Sequence, residues 1–276
     1  MSEGSRYREG FVTVDGYRMH YLEWGESGPQ IVALHSMGMD AHGLDLFSES
    51  MSRDYRILAI DLLAHGDSDT PRGPIGLEEH TEIVRGVALE RGFRKITLVG
   101  HSIGGMISMV YAAKHPEEVE KVVLVDIAPF DISALPRRRR MPPPPPESFE
   151  SEEEALKYFR ERYPRFTEEA LQNRVKYALQ RGPDGRLRLK SSPERTASLR
   201  GALAIDLWPF IEKIRAPTLL IRGSESQLVT DEAVKRMREL LKDFQVVIIE
   251  GATHMVPQDR PEEFERAVRN FLEGKT

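Results

Sequence analysis

The sequence predicts an α/β protein: a mostly parallel sheet covered by helices on both faces, with a helical segment inserted late in the sheet. Three observations carry this. Short runs rich in Val, Ile and Leu alternate with longer amphipathic stretches. Most of those runs are almost continuously apolar, as in strands buried on both faces, whereas a half-solvated sheet would alternate. The rhythm stops between Phe130 and Asp206 and resumes at "APTLLIRG".

Taken in order, residues 11–14 and 18–23 flank "DG" and alternate apolar with polar side chains, which predicts an exposed hairpin. Residues 30–34, 56–61, 95–99, 121–126, 218–222 and 245–250 are the buried strands. Parallel strands need crossovers, and residues 76–91, 103–115, 231–242 and 261–272 have the helical period to supply them. Pro261 followed by "EEF" puts proline and acids into a first helical turn, where both are favoured. Inside the insertion, "RRRRMPPPPP" (residues 137–146) excludes helix and strand, because proline lacks a donor and fixes its backbone. Beside the acidic "ESFESEEE" the arginine run reads as a solvated loop. Helical stretches follow at 152–163, 168–181 and 193–204, with "GPDG" as a turn. The expected organisation is a core of residues 1–129 and 207–276 with a helical cap over 130–206.

Composition narrows the partners. The 276 residues carry 39 Lys plus Arg against 44 Asp plus Glu, a net charge of −5. That balance argues against nucleic acid or an anionic membrane as the main partner. Cysteine is absent, which removes disulfides and thiolate metal sites. No apolar run approaches membrane-spanning length, and the polar "MSEGSRYREG" has no signal-like core. The expectation is a mildly acidic cytoplasmic protein; no pattern encodes an oligomeric state.

"GHSIG", residues 100–104, matches G-x-S-x-G between the strand "KITLV" and the helix "GGMISMVYAAKH". A sharp strand-to-helix turn of this kind exposes a serine hydroxyl at the carboxyl edge of a sheet, with glycines permitting close backbone approach. The structural alternative is a glycine-rich helix start with a serine cap. No Lys-Ser/Thr pair follows and the dinucleotide-binding spacing is absent, so a phosphate loop is not indicated.

With "ALHSMG", "AIDLLAHGDSD", "VVLVDIAP" and "VVIIEGATHMVPQDRPEEF" added, the chain resembles the α/β-hydrolase superfamily over nearly all its length. The nearest likeness is to the capped esterase, lactonase and C–C-bond hydrolase group. The resemblance implies an eight-stranded, mostly parallel sheet, a cap after strand 6, and a site at the carboxyl ends of the strands. It implies Ser102 as nucleophile and His254 as the base that takes and returns its proton, in the Ser…acid…His chain order. The backbone N–H groups of Met37 and Ile103 would form the oxyanion hole. His35 and His101 read as structural or supporting, and His20, His42, His65, His80 and His115 as ordinary. No histidine or carboxylate spacing suggests a metal, and no cofactor is implied.

Three departures gather at this site. Ser36 stands where the resemblance places glycine, and Leu63 and Ala64 replace Arg-Gly. Gln227, in "IRGSESQLVT", stands where the acid would be, which points to a retuned site. Three answers compete for the acid. Asp126 ends the strand after the nucleophile's helix, where some lactonases, dehalogenases and cofactor-free dioxygenases carry theirs. Glu225 has the longer reach. With no acid at all, the Gln227 amide oxygen would accept the imidazole Nδ1–H. Asp126 is taken as the acid. The expected activity is cleavage of an apolar ester or lactone through an acyl-serine, with Phe159, Tyr163, Phe166, Tyr177 and Trp208 as candidate cavity lining. The alternatives on this scaffold are C–C cleavage, lyase or cofactor-free oxygenation chemistry with a His254–Asp126 base, and a non-catalytic ligand receptor.

Overall fold

A computed structural model describes residues 7–130 and 144–275. The arginine run and the start of the proline run therefore lie outside the described residues, as do the first six positions.

The strands of the main sheet are β1 (Tyr7–Val14), β2 (Tyr17–Trp24), β3 (Gln30–Leu34), β4 (Arg56–Ile60), β5 (Ile96–His101), β6 (Val119–Val125), β9 (Thr218–Gly223) and β10 (Phe244–Ile249). Between β6 and β9 lies a separate two-stranded ribbon, β7 (Leu179–Arg181) and β8 (Leu187–Leu189). The main sheet is 8-stranded in the order β1-β2-β4-β3-β5-β6-β9-β10, and β2 alone runs antiparallel to its neighbours. The order reverses beside β3, so β3 and β5 form the switch point where a doubly wound sheet opens a crevice at its carboxyl ends.

Alternation along each strand feeds two cores. Val32, Leu34, Leu58, Ile60, Leu98, Val122, Leu124 and Leu220 face one side, against α2 (Leu77–Glu90), α3 (Ile103–Lys114) and α8 (Asp231–Leu240). Ile31, Ala33, Ile57, Ala59, Val99, Val123, Leu219 and Ile221 face the other, against α1 (Asp45–Met51) and α10 (Pro261–Glu273). A third cluster joins α4 (Glu152–Arg162), α5 (Glu168–Tyr177) and the ribbon through Phe149, Phe159, Phe166, Leu171, Val175 and Leu187. Among the described residues, no helix is long and apolar enough to cross a membrane.

Four sequence expectations need correction. The hairpin is exposed only at β1, because β2 pairs on both edges and buries residues 19–24. The strand expected at 245–250 is not buried on both faces: β10 is the sheet edge, and Ile248 is 53% exposed. The insertion is not all helix. The stretch 168–181 is helical only to Tyr177, after which "LQR" pairs across the "GPDG" turn with Leu187–Leu189, with Gly185 supplying a φ of 78°. Residues 193–204 hold a single α-turn, α6 (Pro193–Thr196), continued as a 3₁₀ helix over Ala197–Leu203. Short helices at α1, α7 (Trp208–Ile211) and α9 (Val256–Asp259) were too brief to register as a period.

Candidate active site

Ser102 sits between β5 and α3 with φ 54° and ψ −114°, a left-handed conformation that costs on the order of 1–3 kcal/mol in a residue with a Cβ. The surroundings leave room for nothing larger than the glycines beside it. A Cβ on Gly100 would lie 2.4 Å from Gly104 O, and one on Gly104 would lie 2.4 Å from Leu34 O. The turn is pinned by Ser102 N–H to Val125 O at 3.1 Å and Met106 N–H to Ser102 O at 3.0 Å. Ile103 is the first residue of α3, so its N–H is one of the donors a helix leaves without an intrahelical partner.

Asp126 follows β6 directly, is fully buried, and also has a positive φ, 47°. Its carboxylate has three donors. Oδ1 accepts from Gly223 N–H at 3.0 Å, and Oδ2 accepts from His254 Nδ1 at 2.8 Å and from the Ser226 hydroxyl at 2.5 Å. Nδ1 of His254 thus carries the proton, which leaves Nε2 as the basic nitrogen. Among the described residues no hydrogen bond joins Ser102 Oγ to His254; such bonds often tighten only once substrate is bound.

The other candidate acids go elsewhere. The Glu225 carboxylate is 2.7 Å from Arg165 at the edge of the inserted segment, in an exposed pair. Gln227 is exposed and, among the described residues, makes no hydrogen bond to His254. Neither meets Nδ1 of His254, which lies 2.8 Å from Asp126 Oδ2.

The His254 loop is braced from two sides. His101 Nε2 donates to the His254 carbonyl at 2.7 Å, and the two rings lie 4.9 Å apart. Burial, then the charge of His254, drives the His101 pKa well below the ordinary range, so His101 is a neutral prop. On the other side, Asp259 Oδ2 accepts from Thr253 N–H at 2.7 Å and its hydroxyl at 2.6 Å.

The loop after β3 is organised by histidines. Gly38 N–H donates to His65 Nε2 at 2.9 Å and Met39 N–H to Ser36 O at 3.1 Å, while Met37 N–H has no protein partner among the described residues. Leu62 N–H donates to His35 Nε2 at 3.0 Å and Leu63 N–H to His80 Nε2 at 3.1 Å. Burial lowers all three pKa values, that of His80 to about 3, so these rings are neutral acceptors. His65 and His80 are therefore not ordinary. They clamp the backbone of Leu63 and Gly38, and no local pattern reveals contacts spanning so many positions. Leu63 is fully buried, and Ala64 takes φ 64° where the resemblance has glycine. The Ser36 hydroxyl is buried and, among the described residues, has no hydrogen-bond partner.

Arg174 of α5, only 5% exposed, ties the insertion to this loop through Gly38 O at 2.9 Å and Met39 Sδ at 3.0 Å. The aromatics expected to line a cavity mostly pack among themselves: Phe159 and Phe166 are buried, and Tyr163 stacks on Phe166 at 4.5 Å. Tyr177 stacks on His42 at 3.6 Å, and Trp208 lies under Arg236 at 4.0 Å. One grouping of metal-capable side chains, His20, Asp61 and Asp67, was invisible to spacing. Both His20 nitrogens are already engaged by carboxylates, Asp61 at 2.7 Å and Glu9 at 3.0 Å, and its partners raise the His20 pKa against the lowering effect of burial.

The chain is 29% identical over 249 residues to a 2-(acetamidomethylene)succinate hydrolase of Mesorhizobium japonicum, covering 90% of this chain and 89% of the relative. It is 29% identical over 262 residues to an esterase of Mycobacterium tuberculosis, covering 92% and 86%. The crystal structure of E-2-(acetamidomethylene)succinate hydrolase superposes with a TM-score of 0.86 at 28% identity, covering 97% of this chain and 99% of that one. These relatives are hydrolases by name, which supports hydrolysis as the reaction class. Residues 31–267 match the sequence model of the alpha/beta hydrolase family. With the sheet order and the elbow at Ser102, this match shows that the chain belongs to the alpha/beta hydrolase family.

Proposed function

We propose that this chain is a serine hydrolase that cleaves a carboxylic ester or lactone through an acyl-Ser102 intermediate. The observation that carries the reading is the 2.8 Å contact of His254 Nδ1 with Asp126, at the carboxyl ends of the strands where Ser102 also sits. In the first half-reaction, Ser102 Oγ bonds to the carbonyl carbon while His254 Nε2 takes its proton. Met37 and Ile103 N–H groups meet the charge on the carbonyl oxygen. The C–O bond to the leaving alcohol breaks, and His254 returns the proton to that oxygen. Water then attacks the acyl group with His254 again as base, releasing the acid and restoring Ser102. Asp126 keeps Nδ1 protonated and stabilises the imidazolium without itself taking the proton. The described part of the insertion, residues 144–206, serves as the cap over this site, with Arg174 fastening it to the loop that follows Met37. No cofactor takes part, and the substrate is a small apolar ester or lactone.

The test is turnover of p-nitrophenyl esters and lactones of graded chain length by the wild type and Ser102→Ala. Loss of several orders of magnitude is expected, because triad members act as a unit. The His254–Asp126 contact supports one second reading, a His254–Asp126 base acting without acyl-serine. Undiminished turnover by Ser102→Ala would select it.

A further inference from the structure

We propose that Ser226 is a positioning residue of the hydrolase site: its hydroxyl fixes how Asp126 meets His254 and moderates the basicity of that carboxylate. The inference rests on the reading of Asp126 as the orienting acid. Ser226 lies one position before Gln227, in the segment where the family resemblance expects a carboxylate. What reaches the histidine from that segment is a hydroxyl, relayed through an acid that follows a different strand.

The geometry is over-determined. Ser226 is 7% exposed, and its N–H to Gly223 O bond of 3.0 Å closes a tight turn after β9. Leu228 N–H donates to Ser226 Oγ at 3.2 Å, which occupies a lone pair and turns the hydroxyl hydrogen towards Asp126 Oδ2. That oxygen is the one His254 uses. Gly223 N–H holds the other, so rotation of the carboxylate is blocked at both ends. The hydroxyl and the imidazole share one acceptor, and each donor draws charge that the other would otherwise use. His254 also faces the His101 ring from β5, and Thr253 ties its loop to Asp259 of α9. A change at Ser226 leaves those two neighbours, and the exposed Arg165–Glu225 pair, in place.

Removing the hydroxyl frees charge on Oδ2, which favours imidazolium. The acid limb of the kcat/KM–pH profile, set by protonation of free-enzyme His254, therefore moves to higher pH in Ser226→Ala, by about half a unit or more. Its plateau falls about ten-fold, the scale of a lost charge-assisted hydrogen bond. Ser226→Thr returns the limb towards the wild-type pH. Ser226→Cys keeps the size and weakens the donor, so it carries the test if the alanine variant does not fold. The same shift is read without turnover by NMR titration of the His254 ring, assigned with His254→Asn. That readout decides the role of Ser226 even if Ser102 proves unreactive, which would count against ester hydrolysis alone. An unmoved limb and an unmoved His254 titration in a folded Ser226→Ala or Ser226→Cys protein would overturn the proposal.

Discussion

Asp126→Asn isolates the electrostatic part of the account, because the new side chain has nearly the same shape. The amide must place one NH2 and one oxygen where two carboxylate oxygens now accept three donors. If the NH2 faces Gly223, it meets a backbone N–H that cannot reverse its role. That leaves a buried donor unpaired, at a cost of about 1–3 kcal/mol. If it faces His254 and Ser226, both partners adapt: Ser226 Oγ accepts, and the imidazole moves its proton to Nε2. The second arrangement is favoured, and it disables the base, since Nε2–H cannot take the Ser102 proton. The cost is about 10⁴-fold in kcat/KM, as for the equivalent exchange in the serine-protease triad. Stability falls much less, because each hydrogen bond is replaced. The assay is kcat/KM against pH on the best ester found, beside Glu225→Gln and Gln227→Ala, with thermal melts to confirm folding. Both comparison variants should stay within a few-fold, because Glu225 is paired with exposed Arg165 and Gln227 is exposed. A folded Asp126→Asn retaining more than about a tenth of wild-type activity would refute the reasoning.

Two further outcomes follow from the packing and the buried charges. Gly104→Ala should destabilise the protein by about 3 kcal/mol or more, read by urea denaturation, because its Cβ would fall 2.4 Å from a backbone carbonyl that cannot yield. A loss below about 1 kcal/mol would mean the elbow is looser than this packing implies. The buried His20–Asp61 pair should shape stability against pH. Burial opposes both ionised forms, yet the hydrogen bond and charge of each partner raise the His20 pKa above 6.5 and lower the Asp61 pKa to about 2. Asp61's contribution is complete above its unfolded value of 3.8 and lost as pH falls through the folded value. That of His20 is complete below 6.5 and lost as pH rises through its raised value, so the pair contributes most between those limits. Asp61→Asn should flatten that plateau in melting temperature and cost roughly 3–5 kcal/mol within it; an unchanged plateau would contradict the pairing.

Much of the scaffold was legible because strand and helix periods are local. The runs "QIVAL" and "TLLIRG" could be little else than buried parallel strands. Position within the sheet was not legible: "FQVVII" reads like a central strand yet forms the edge, since β-branched composition does not report how many neighbours a strand has. The β7–β8 ribbon was hidden because "ALQR" suits a helix, and only the following turn and the partner at Leu187–Leu189 make it a strand. Ser102 and His254 were visible through their local turns. Asp126 could be placed at the strand end by counting along β6. The contacts around it could not, because Gly223, Ser226 and His254 arrive from remote segments. The His35, His65 and His80 clamps were equally silent, since a neutral buried imidazole accepting a backbone N–H leaves no periodic trace.

The central claim is that Ser102 is an activated nucleophile, and intact-protein mass spectrometry after fluorophosphonate treatment tests it most directly. The wild type should gain one adduct, mapped by peptide sequencing to Ser102. Ser102→Ala should gain none, and His254→Ala and Asp126→Asn should label far more slowly. An unlabelled wild type, or an adduct that persists in Ser102→Ala, would contradict the account.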